Sequence, residues 1–172
     1  MSGEKIEFKK YLGKSFEILK LKGSAAIEIS KDEKAFVPGL IILAIGGFAS
    51  ALGLLFTTGA LHSAEVIVLL LFTPILNVVF FSFFLGIFHV LAKILGGQAG
   101  FMEYYRAAVF GSVITWAQVV PLIGTLVSIW SIPVNIVILE NVHKLKRLEA
   151  VTIISIMMLI AMGILYSIGF FG

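Results

Sequence analysis

From Phe36 to Phe171 the chain runs in long apolar stretches separated by short polar breaks. About 20 apolar residues are what an α-helix needs to cross the hydrocarbon core of a bilayer. The pattern predicts five transmembrane helices, over about 36–61, 66–95, 104–120, 122–142 and 148–171. The first follows Ser30-Lys31-Asp32-Glu33, which reads as a capping box with Ser30 as the cap and Glu33 reaching back. The second is over-long, so it is expected to tilt, kink at Pro74 or project from the bilayer. The third is short. Pro121 ends it and opens the fourth, because proline suits the first helical turn, and Pro133 is expected to kink the fourth.

The first 34 residues are patterned differently. Phe8, Leu12, Phe16 and Leu19 share one helical face, with Tyr11 beside them and lysines around the rest. This predicts an amphipathic helix lying in the headgroup layer. The alternative is a helix packed against the inner ends of the spans. The organisation expected is a Lys-rich segment, 1–34, followed by a membrane domain, 35–172.

Composition narrows the class. Of 172 residues 59% are hydrophobic and 13% charged, with a mean hydropathy of +1.07. A soluble domain of this size could not cover so much apolar surface, so the fold class is an all-α polytopic membrane protein. The net charge of +3 and pI of 9.2 do not point to nucleic acid, because positive charge beside spans is what insertion requires. The distribution of that charge is one-sided. Lys5, Lys9, Lys10, Lys14, Lys20, Lys22, Lys31 and Lys34 precede the first span. Lys93 and Arg106 flank the second loop, and Lys144, Lys146 and Arg147 fill the fourth. All thirteen fall on one side of a five-span arrangement. Ser2 and Lys144 are therefore expected in the cytoplasm, and His62 and Gly172 outside. The absence of cysteine excludes disulfides and thiol chemistry, and no cleavable leader is expected in so charged a start.

The usual catalytic signatures do not occur, so neither catalysis nor a cofactor is expected. Gly96-Gly97-Gln98-Ala99-Gly100 suits a tight turn better than a phosphate cradle. Small residues recur at four-residue spacing, as Gly46/Ser50, Gly47/Ala51, Ala49/Gly53, Ala107/Gly111 and Ala108/Ser112, where helices in lipid approach closely. Whether they pack within one chain or form a homo-oligomer is left open. Charged and ionisable groups near span ends are functional candidates. His89, Glu103, Glu140 and His143 form a weak candidate set for a divalent metal, against structural pairing with bases such as Arg106 or a docking surface. Asn77, Gln118 and Asn135 are the deeper polar residues. Lys144, Lys146 and Arg147, with Lys9, Lys10 and Lys14, are the candidate surface for anionic lipid or a protein partner.

The stretch from Leu91 through Ser112 and on from Val119 to Val151, with its elbow ENVHKLKRLEA, resembles the Yip domain family of Rab/Ypt-interacting membrane proteins. Gly96, Gly97, Phe101, Tyr105, Pro121, Trp130, His143, Leu145, Arg147 and Ala150 carry the likeness. The resemblance implies five spans with a cytoplasmic N-terminus. In eukaryotes it implies vesicle-traffic proteins that contact small GTPases and each other. This chain lacks the long N-terminal region and acidic-Tyr-Gly-Pro-type motif of those relatives, and resembles the short prokaryotic branch. The function expected is a non-enzymatic membrane scaffold or trafficking-type interaction protein with a basic cytoplasmic face, in a prokaryotic cell membrane. The alternative is a small transporter or channel; an intramembrane metal enzyme is the weaker third.

Overall fold

The computed structural model describes residues 8–58 and 64–167. Ser2, His62 and Gly172, and the outer ends of the first and fifth expected spans, lie outside them. Eight α-helices follow in order: α1 (Phe8–Leu19), α2 (Gly23–Lys31), α3 (Phe36–Thr58), α4 (Ala64–Ile94), α5 (Phe101–Gly111), α6 (Pro121–Ser128), α7 (Ser131–Val142) and α8 (Arg147–Ser167). Short 3₁₀ segments cover Glu33–Ala35 and Ser112–Val119, and no strand occurs among the described residues. Among the described residues, four stretches are long and apolar enough to cross a membrane: Glu33–Thr57, Val66–Ile94, Pro121–Val142 and Arg147–Ile164. The chain is thus an all-α, multi-pass integral membrane protein.

The third expected span is not a single α-helix. After the 11 residues of α5 the chain tightens into an eight-residue 3₁₀ segment. The hydroxyls of Ser112 and Thr115 donate to the carbonyls of Val109 and Ser112, three residues back, at 2.7 and 2.8 Å. β-Branched Val113, Ile114 and Thr115 crowd the same turns, which weakens the α-helical alternative. At about 1.5 Å per α residue and about 2.0 Å per 3₁₀ residue, the path from Phe101 to Val119 still rises about 32 Å.

The fourth expected span is interrupted at Ile129 and Trp130, both still right-handed helical, within one continuous stretch from Pro121 to Val142. α6 ends at Ser128 and α7 begins at Ser131. Pro133 has no N–H for the Ile129 carbonyl, and its ring crowds that oxygen, which places the break where it is seen. Pro74, by contrast, sits inside the 31 residues of α4, which remains one helix of about 46 Å.

One expectation about the start of the chain is corrected. Ser30 is not a cap: it lies within α2, and its hydroxyl donates to Ile27 O at 2.8 Å. Asp32 caps the next turn, accepting from Lys34 N at 3.0 Å, and also accepts from Tyr11 Oη at 2.9 Å. In α1 the buried face is Tyr11, Ser15 and Ile18, while Phe16 is 50% exposed. α1 and α2 pack on α5, and α2 also packs on α7, so the N-terminal helices belong to the bundle.

α3 carries the close helix contacts. Gly47 faces the backbone of Pro74 and the side chain of Asn77, whose Nδ2 donates to Leu43 O at 2.8 Å. Gly46 and Gly53 face Thr115 and the Gln118 carbonyl on the 3₁₀ segment. Ser50 Oγ donates to Gln118 Oε1, and Trp116 Nε1 to Ile42 O at 2.9 Å. The deep polar residues thus tie helices together, except Asn135, which donates to Ser131 O one turn back. α5 lies at the centre, with Tyr104, Tyr105 and Ala107 through Gly111 all buried.

Candidate functional site

One end of the bundle is assembled from two turns and the N-terminal helices. α4 closes in a two-bond cap: Gly96 N donates to Lys93 O at 3.1 Å and Gly97 N to Ala92 O at 2.7 Å. Gly96 holds φ +90, a conformation glycine adopts without a Cβ penalty. At Gly97 a Cβ would stand 2.7 Å from both Ala92 O and His143 Nδ1, so only a residue without one admits the imidazole. Gln98 N then donates to His143 O at 2.9 Å, which ties the α4–α5 turn to the elbow after α7.

His143 is fully buried. Its Nε2 shares a hydrogen bond with His89 Nδ1 at 3.3 Å, and its ring stands 5.0 Å from that of Tyr104. The His143 Nδ1 and Tyr104 Oη atoms are buried without a hydrogen-bond partner among the described residues. Burial first, and then the neighbouring His89 and Lys93, push the His143 pKa down to about 4 against a smaller upward pull from Glu103. The imidazole is therefore neutral at physiological pH and acts as an uncharged packing and hydrogen-bonding group.

The four candidate metal ligands do not converge. His89 and His143 meet, but Glu103 Oε2 accepts from Gly100 N at 2.7 Å as the cap of α5, and Glu140 lies half-buried on α7. No group of three or more His, Asp or Glu suited to a metal occurs among the described residues. Nor does a carboxylate of this set pair with a base there: Arg106 Nε donates to Ser30 O at 2.9 Å. The reason is economy of backbone groups. Helix ends leave donors and acceptors that nearby charged side chains satisfy before they satisfy each other.

The cationic surface divides in two. Lys9, Lys10, Lys144, Lys146 and Arg147 are exposed. Lys14 is not a free surface charge, since it pairs with Glu28 at 2.7 Å and Glu17 at 3.1 Å, and these bonds raise its pKa. Lys22 lies 3.6 Å from Glu17. The elbow is closed by Lys146 N donating to Glu149 Oε2 at 2.7 Å, the reach-back that starts α8.

The residues that carried the family likeness have visible work in the fold. Gly96 and Gly97 make the turn, Pro121 opens α6, Ala150 is buried at the foot of α8, and His143 fills the space beside Gly97. Trp130 stands at the break between α6 and α7, and its Nε1 donates to Leu19 O, the last residue of α1, at 2.8 Å. Sequence reasoning missed four wall residues of a nearby cleft, Lys31, Gln98, Glu103 and Asn141, as a group. They lie on separate elements, and no spacing in the chain signals their meeting.

The Yip1 domain family model matches residues 16–168. Comparison with curated proteins and with solved structures finds no match.

Proposed function

The chain belongs to the Yip1 domain family, and on that premise we propose that it is a non-enzymatic membrane organiser that presents a basic face to the cytoplasm. The face would meet anionic lipid of the inner leaflet, or an acidic segment of a trafficking-type protein partner, in a prokaryotic cell membrane. What carries this reading is the hydrogen bonding that gathers separate basic segments at one end. Gln98 to His143 joins the α4–α5 turn to the elbow, and Arg106 to Ser30 joins α5 to α2. In this reading the path from Phe101 to Val119 is the third of five crossings, which puts the N-terminus inside and the C-terminus outside.

The test has two parts. Single cysteines at Lys144 and Val120, labelled with an impermeant reagent on intact cells, should react at 120 and not at 144; the reverse pattern overturns the orientation. The K144Q/K146Q/R147Q variant should keep that topology, because eight N-terminal lysines remain. It should bind vesicles of phosphatidylglycerol and phosphatidylcholine more weakly, most clearly at low salt, since each cation near an anionic surface contributes about 1 kcal/mol. Unchanged vesicle and partner binding would overturn the basic-face reading.

One observation favours the alternative, a small transporter. A cleft of ≈ 400 Å³ between α3, the 3₁₀ segment and α6 is lined by Ser50, Thr57, Gln118, Thr125 and Ser128, beside broken helices. Three of these hydroxyls, Thr57, Thr125 and Ser128, however, donate to carbonyls one turn back on their own helices, at Gly53, Pro121 and Gly124, and Ser50 donates to Gln118. They are engaged within the fold rather than arrayed for a solute. Solute-independent, background-level flux in reconstituted liposomes is the outcome expected of an organiser.

A further inference from the structure

Between α2, the α4–α5 turn, α5 and the end of α7 lies a cleft of ≈ 210 Å³, with Lys31 and Lys144 on its rim and Gln98, Glu103 and Asn141 in its wall. Neither lysine makes an ion pair among the described residues. Arg106 Nε donates to the carbonyl of Ser30, one of the residues lining the cleft. Two cations thus line a space with one carboxylate, and that carboxylate is already engaged with Gly100 N. Like charges gathered around a cavity repel, and an anion in the cavity relieves the repulsion.

Lys144 adds an independent sign. It follows the last turn of α7 with φ 60, the left-handed conformation that helix ends usually assign to glycine. A side chain there costs about 1 kcal/mol. A strained residue whose side chain lines a cleft is a functional candidate in its own right. The cleft, at ≈ 210 Å³, has room for a phosphate group and a small polar group beside it.

We propose that this cleft binds a phosphate group, held by the ammoniums of Lys31 and Lys144, by the side-chain amide of Gln98 and by the second amide N–H of Asn141, whose first is donated to Val137 O at 2.8 Å. Glu103 remains as an acceptor for a hydroxyl carried beside the phosphate, as in a phosphatidylglycerol headgroup. The site rests on the basic-face reading but is narrower. It assigns binding to two lysines that are distant in sequence and meet only in the fold, whereas Lys146 and Arg147 stand outside the cleft.

The experiment uses the full chain in detergent with dioctanoyl phosphatidylglycerol as the probe, titrated by thermophoresis at low and physiological salt. The K31Q/K144Q variant should weaken binding about tenfold or more, as the loss of two cations of about 1 kcal/mol each implies, while K146Q/R147Q changes it less than about twofold. K31R/K144R should restore binding, and equal melting midpoints confirm that all variants are folded. Competition by inorganic phosphate identifies free phosphate as the ligand; its absence identifies the lipid headgroup; either result supports the cleft. Equal weakening by both pairs overturns the cleft and leaves the diffuse basic face standing. No effect of either pair, with no phosphatidylglycerol binding by the wild type even at low salt, overturns both.

Discussion

Lys144 and Leu21 are the two non-glycine residues with left-handed backbone among the described residues, and both follow the last turn of a helix. At Leu21 the α1 end closes as α4 does, with Leu21 N on Ile18 O at 2.8 Å and Lys22 N on Glu17 O at 3.1 Å. Leu21 repays the strain by packing on the core; exposed Lys144 does not. Lys144→Gly should therefore raise stability by about 0.5–1 kcal/mol in detergent melts while reducing phosphatidylglycerol binding. Gly97→Ala should do the opposite, destabilising by about 1–3 kcal/mol, because its Cβ meets a backbone carbonyl and the His143 ring. The double glycine was legible as a turn. Its second duty, making room for His143, was not, since a residue's neighbour across the fold leaves no mark in its local spacing.

His143 also gives stability a pH dependence. Its folded pKa, about 4, lies below the ordinary 6.5, so the unfolded chain takes up a proton before the folded one does. Stability is unaffected above pH 6.5 and falls as pH drops from about 6.5 to about 4, by at most about 1.4 kcal/mol per unit. The fall in melting midpoint between pH 7 and pH 5 should be smaller in His143→Gln than in the wild type. An identical fall in both would show that His143 does not titrate in that window.

At the scale of elements, one helix start was misread and one was anticipated. Ser30 and Asp32 are both good capping types, and Asp32 prevails because Tyr11 from α1 also binds it, a contact the local sequence does not contain. Asp32→Ala should cost about 1 kcal/mol, seen as a lower melting midpoint. Pro121 opened α6 as its position predicted. Pro133 was recognised as a disturbance, and the interruption falls one turn before it, at Ile129 and Trp130. Restoring the missing N–H with Pro133→Ala should join α6 to α7 and lengthen the hydrogen-exchange lifetimes of amides near 129–133. The rotated face of α1 has a different cause. Lipid-facing side chains are as apolar as core ones, so an apolar stripe marks both surfaces and does not say which is turned inward. Phe16 belongs to the stripe yet is exposed, and Ser15 does not belong to it yet is buried.

For the whole molecule, the class, the apolar stretches and the basic end were readable because hydropathy and charge asymmetry are properties of long segments. The core was less so: α5 is the most enclosed helix, yet its mixed composition, with Glu103 and Arg106 in it, hides that position. It is enclosed because α1 and α2 fold back beside it, so the N-terminal segment completes the bundle rather than trailing from it. Removing residues 1–31 should therefore lower the melting midpoint of the remaining bundle, and a deletion variant as stable as the full chain would contradict that placement.

The bond from Trp130 to the end of α1 makes this arrangement visible to light. Indole emission responds to hydrogen bonding and to the polarity around the ring. With two tryptophans in the chain, Trp116→Phe leaves Trp130 as the sole emitter of that kind, half-exposed beside Leu19. Release of α1 would free its Nε1 and alter the spectrum. The protein thus carries an intrinsic probe of whether its lysine-rich helix is docked, readable in a cuvette without any added dye.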